Sequence, residues 1–133
     1  MDTSSKAQSA DGVELSEDRI FTLLSTRRRR ELLRVVDRLG GEATVGDITN
    51  ELAADEHGEQ AAASQRKTVY VSLHQTHIPR LVDADVLVHD AREKTVRLTD
   101  RAEVLLAYLR FDPQKKPGLL SRVLGPAGRK RVK

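Results

Sequence analysis

Residues 73–88 read Leu73-His74-Gln75-Thr76-His77-Ile78-Pro79-Arg80-Leu81-Val82-Asp83-Ala84-Asp85-Val86-Leu87-Val88, and the pattern changes from helix to strand within them. Upstream, from Ser64 onward, Val69, Tyr70, Leu73, His77 and Leu81 recur at helical spacing along one predicted core side, while Lys67, Thr68, Val71, Ser72 and Gln75 lie away from it. Pro79 falls inside this pattern. Its missing N–H and its ring predict a kink or a junction there. Downstream, Val86-Leu87-Val88-His89 and Thr95-Val96-Arg97-Leu98 alternate like two strands around a turn at 90–94. A long helix therefore runs directly into a hairpin.

Working towards the N-terminus, residues 54–63 are small and polar and read as a loop that is partly helix. Thr44 is a candidate N-cap for a helix carrying Val45, Ile48 and Leu52, and Ala43-Thr44-Val45 reads as a short strand. A helix from Thr26 carries Leu32, Leu33, Val35, Val36 and Leu39 and stops at Gly40-Gly41. Before it, Ser16 caps a short helix with Glu17 and Asp18 in the first turn and Ile20, Phe21, Leu23 and Leu24 as apolar positions. Residues 1–15 are polar and read as disordered. Towards the C-terminus, Asp100 and Glu103 resemble a capping box that opens a final helix to about Phe111, and residues 112–133 form a basic, flexible tail broken by Pro and Gly.

The expected fold is α+β, mostly helical. The order helix, helix, short strand, helix, helix, hairpin, helix is that of a winged helix-turn-helix: a helical core, a two-stranded wing and a C-terminal helix, over residues 16–111. The segment Val69-Tyr70-Val71-Ser72-Leu73-His74-Gln75-Thr76-His77-Ile78-Pro79 is similar to a family of small haloarchaeal winged-helix domains within the winged helix-turn-helix transcription regulators. The resemblance implies this fold and, as the usual use of the fold, DNA binding. At the helix-to-wing turn such domains usually place glycine where Asp85 stands, which puts the wing's entry angle in question.

Composition excludes several other classes. The 133 residues suffice for one domain and a tail, and the absence of cysteine excludes disulfides and thiolate chemistry. No apolar run reaches the roughly 20 residues of a membrane span, so a cytoplasmic protein is expected. The net charge of +3 is uneven: residues 112–133 hold seven Lys or Arg and one acid, leaving sixteen basic against nineteen acidic groups in residues 1–111. The tail reads as a DNA-phosphate arm, a membrane-surface helix too short for firm attachment, or a solvated segment, with the arm favoured. No phosphate loop, nucleophile elbow or zinc-protease motif occurs, so no enzyme and no cofactor is expected.

The expected partner is double-stranded DNA. Gln65, Arg66, Lys67, Thr68, Ser72 and Gln75 on the long helix supply amide, hydroxyl and cationic groups of the kinds that read bases or hold phosphates. Arg92, Lys94 and Arg97 would place charge on the wing. Without DNA contact, the same fold would serve as a protein-interaction module. The run Arg27-Arg28-Arg29-Arg30 opposes its own helix dipole and calls for anions, either the nearby acids Glu14, Glu17, Asp18 and Glu31 or DNA phosphate. His74 and His77 have a spacing that can share a metal, but no third ligand follows, and His77 reads as a core residue beside Pro79. On the final helix Ala102, Leu105 and Leu109 face the core, while Val104, Ala107, Tyr108 and Phe111 form a second apolar face. That face predicts a homodimer, unless the first helix folds back over it.

Overall fold

The computed structural model describes residues 15–111, so the readings of a disordered start and of a basic, DNA- or membrane-directed tail fall outside the described residues, apart from Leu15, which packs partly buried against the core. The elements run α1 Glu17–Leu23, α2 Arg27–Arg38, β1 Glu42–Thr44, α3 Val45–His57, α4 Ala63–Ser72, a π-helical turn Leu73–His77, α5 Ile78–Asp83, β2 Leu87–Asp90, β3 Thr95–Leu98 and α6 Ala102–Arg110. The architecture is α+β and mostly helical, with one antiparallel sheet in the order β1-β3-β2. β1 reaches β3 by pairing Ala43 with Val96 and Thr44 with Thr95, and β2 pairs Leu87 with Leu98 and His89 with Val96.

Capping explains where the first three helices begin. Ser16, Thr26 and Thr44 each accept the N–H three residues on, from Arg19 at 3.1 Å, Arg29 at 3.2 Å and Asp47 at 2.9 Å. The capping box expected at Asp100 and Glu103 does not form: α6 starts at Ala102 behind Arg101, which makes no side-chain cap. Successive i→i+3 bonds run from Ala102, Glu103 and Val104 to the carbonyls of Thr99, Asp100 and Arg101, so the Glu103 N–H that the Asp100 side chain would accept goes to the Asp100 carbonyl instead.

Two helices end alike. At α2, Gly40 has φ 100°, and Gly41 N–H donates to the Val36 carbonyl at 2.8 Å. At α5, Asp85 takes the same left-handed role with φ 64°: its N–H donates to Val82 and that of Val86 to Leu81, both at 2.9 Å. Asp85 therefore does the work usually given to glycine at this turn. The Thr99 hydroxyl then donates to the Asp85 carbonyl at 2.6 Å, fastening the turn to the strand β3 end.

One core runs through the molecule. Leu32, Leu33 and Val36 of α2, Ile48 and Leu52 of α3, Val69, Leu73, Ile78 and Leu81 of the long helix, Val86, Leu87 and Val96 beside or in the sheet, and Leu105 of α6 are all buried. The long helix reaches the core along its full length only because of the π turn. At about 100° per residue, an unbroken α-helix would set Leu81 about 80° from Leu73. The extra residue of the π turn, closed by Ile78 N–H donating to the Leu73 carbonyl, turns α5 back by one position. Pro79 then falls in the first turn of α5, where its missing N–H costs nothing. The junction expected at Pro79 is this turn.

Candidate nucleic-acid interface

The four-arginine run is committed within the protein. The Arg28 guanidinium makes a two-pronged pair with Glu56 at 2.6 and 2.7 Å, and Arg27 meets Asp55 at 3.2 Å, both acids lying at the end of α3. The Arg28 hydrogen bonds hold the Glu56 carboxyl below the usual carboxylate range and raise the guanidinium's own pKa. Arg29 is buried and donates to the carbonyls of Leu23 at 2.7 Å and Thr22 at 3.0 Å, while Arg30 donates to Leu24 at 2.7 Å. These are the orphan carbonyls closing α1, so the run that opposes the dipole of α2 complements that of α1. Among the described residues only Glu31 of the acids predicted as partners pairs, with Arg34 outside the run, and Glu14 lies outside the described residues; Asp55 and Glu56 lie 28 residues away and carried no local signal. A signal for Arg29 did exist: it falls on the same helical stripe as Leu32, Leu33 and Val36.

Arg29 also donates to His77 Nδ1 at 3.2 Å, inside the π turn. A guanidinium has no acceptor, so Nδ1 must be the unprotonated nitrogen. Burial, with Arg29, Arg28 and Arg80 close by, pushes the His77 pKa down to about 4. His77 is therefore a neutral core residue with its Nδ1 held by Arg29, whereas His74 is exposed. Among the described residues no group of three or more His, Asp or Glu side chains could hold a metal ion.

On the long helix the structure divides the predicted contact residues into two groups. Gln65 turns its side-chain oxygen back to the Ala62 N–H at 2.8 Å, and the Thr68 hydroxyl donates to the Ser64 carbonyl at 3.0 Å. Arg66 donates to the Ala61 carbonyl at 2.6 Å, and Ser72 is half-buried. Gln65 and Thr68 are thus turned to their own helix and Arg66 to the loop before it, while Ser72 makes no side-chain hydrogen bond among the described residues. Lys67 and Gln75 are exposed and uncommitted.

Tyr70 departs from its expected place in the core. It is 38% exposed and stacks on His74 with ring centroids 5.8 Å apart, because Val69 and Leu73 already fill the interior on that side. His74 meets His89 of β2 edge-on at 6.1 Å. This row of three rings, which the wheel did not reveal, ties the exposed face of the helix to the hairpin.

At the hairpin tip, Asp90 Oδ1 accepts the N–H groups of Arg92 at 3.0 Å and Glu93 at 3.1 Å, and Lys94 closes the loop with φ 59°. The tip is thus ordered, with the Arg92 and Lys94 side chains outside. Arg97 is exposed further along β3, with Glu42 opposite it on β1 and Val88 on β2. A carboxylate neighbour makes it the least suited of the three to an external anion. Among the described residues, the side chains of Arg19, Lys67, Arg80, Arg92, Lys94 and Arg97 make neither ion pair nor hydrogen bond. All but Arg19 lie on α4, α5 or the hairpin.

Residues 21–97 match the model of a family described as a domain of unknown function, DUF7344. The chain belongs to the DUF7344 family. The DUF7344 match opens at Phe21 in α1 and closes at Arg97 in β3, so it holds the whole of α2 to β2 and leaves α6 outside. No curated protein and no solved structure matches the chain. No helix among the described residues is long and apolar enough to cross a membrane.

Proposed function

We propose that this DUF7344 protein is a sequence-specific, double-stranded-DNA-binding transcription regulator built on a winged helix-turn-helix, and that it carries no catalytic activity. The sheet order β1-β3-β2, with α2, α3 and the long helix packed behind it and the hairpin leading out of that helix, is consistent with a winged-helix frame. In this reading α4 enters the major groove and the hairpin takes backbone or minor groove. The observation that carries the proposal is the distribution of unpaired charge. The arginines of α2 are bound within the protein, Arg27, Arg28, Arg34 and Arg38 by carboxylates and Arg29 and Arg30 by the carbonyls closing α1, whereas Lys67, Arg80, Arg92 and Lys94, beside the uncommitted amide of Gln75, are left for an anionic partner.

Polarisation titrations of the full chain against genomic DNA fragments at two salt concentrations test it. Gln75→Ala should relax sequence preference, at about 1–3 kcal/mol for the bidentate base pairing it removes. Lys67→Ala, Arg92→Ala and Lys94→Ala should weaken all sequences alike and reduce the salt slope by about 0.9 for each phosphate left unneutralised. A chain ending at Phe111 should lose more of the slope and keep its preference. Binding unaltered by the combined substitutions, or no binding at low salt, would overturn the proposal in favour of a protein-interaction module.

A further inference from the structure

The outer faces of α1 and α6 form one apolar surface. Phe21 is 52% exposed, Val104 43%, Tyr108 37% and Phe111 74%, and Ala107 is exposed among them. Phe21 meets Tyr108 edge-on, with centroids 5.7 Å apart. α1 does fold back towards α6, but it enlarges the apolar surface instead of covering it: Ile20 and Leu23 turn inward, and Phe21 is left outside beside Tyr108.

We infer that this surface is a two-fold interface with a second copy of the same chain. Its size fits. With aromatic side chains of about 150–250 Å² each, the exposed fractions amount to about 400 Å² of apolar area per protomer. An interface about 60% apolar would then bury about 1,300 Å² in total, inside the range of roughly 1,200–2,000 Å² for stable pairs. Its rim fits as well. A two-fold axis sets a surface against itself, so a rim of one sign would repel; this rim carries Arg110 beside Glu103 at 3.7 Å and Asp37 at 3.9 Å. These exposed pairs can exchange partners across the axis at little cost. None of the interface residues belongs to α4 or the hairpin, so the dimer stands or falls independently of the proposed DNA contact.

Sedimentation equilibrium of the full chain tests the inference. A dimer with a dissociation constant in the micromolar range is expected, weakened at least about thirtyfold by Val104→Glu with Tyr108→Glu. Phe111→Ser, at the last and most exposed position, should weaken it without changing the far-ultraviolet circular dichroism or the unfolding midpoint. Gln75→Ala should leave it intact. A monomer at about 100 µM, far above the expected dissociation constant, would overturn the inference, and would be the result if residues 112–133 of the same chain cover the face instead. A dimer indifferent to both sets of substitutions would overturn it equally.

Discussion

Arg29 binds two carbonyls that end α1 and the imidazole of His77 in the π turn, so one side chain fastens the first helix to the middle of the long one. The arrangement requires neutral His77, and its pKa, pushed down to about 4 chiefly by burial, gives a sign that can be checked. An unfolded histidine titrates near 6.5. Between about pH 6.5 and 4 the unfolded chain holds the extra proton, so stability is full above about 6.5 and falls as pH drops towards 4, by at most about 1.4 kcal/mol per pH unit. His77→Gln keeps an acceptor and loses the titration. Urea unfolding at about pH 7, 5.5 and 4.5, spanning that window, should therefore show the natural chain losing stability relative to the variant; parallel curves would refute the account. At this scale the sequence was only partly readable. The N-caps Ser16 and Thr44 were plain because each acts on its own first turn, and the helix start near Thr26 was read from its apolar stripe without its cap. The partners of the arginine run were not, because Asp55 and Glu56 reach it only through the packing of α3 on α2.

Helix α4, the π turn and α5 form one continuous element whose irregularity keeps its apolar residues in register. Deleting Thr76, an exposed residue of the turn, would restore an ordinary α-helix with Leu81 still facing inward, but would bring Pro79 into its interior. The deletion alone should cost about 3 kcal/mol. Combined with Pro79→Ala it should recover most of that loss in chemical denaturation, and no recovery would mean that the proline does not set the turn. Helical spacing announced the element and Pro79 announced a break. Periodicity alone could not distinguish a kink from an inserted residue, and it misplaced Tyr70, because a wheel drawn at constant pitch does not know which neighbours fill the core first. The hairpin was readable down to its strands. Gln65 and Thr68 were candidates for outside contact by residue type, and only the folded helix shows their oxygens turned to its own backbone.

Across the whole molecule, the mostly helical α+β class and the order of elements were legible because the first three helices carry their own start signals and the longer helices their apolar stripes. Strand β1 was visible only as a short β-like triplet, since its partner β3 lies some 50 residues on and pairing is a tertiary event. The second apolar face of α6 was legible too; the contribution of Phe21 from the other end of the chain was not. The turn at Asp85 has one more consequence. A residue with a Cβ occupies a narrow left-handed basin, and here the turn is also stitched to Thr99, so helix and hairpin behave as a single stiff bracket. A stiff bracket cannot adjust its own span. On the proposed reading, the duplex has to adjust instead, and sequences that bend or narrow cheaply would be favoured even at base pairs no side chain touches. Fragments enriched from a random pool should then carry sequence information between the contacted positions as well as at them, and uniform composition there would show that the bracket yields.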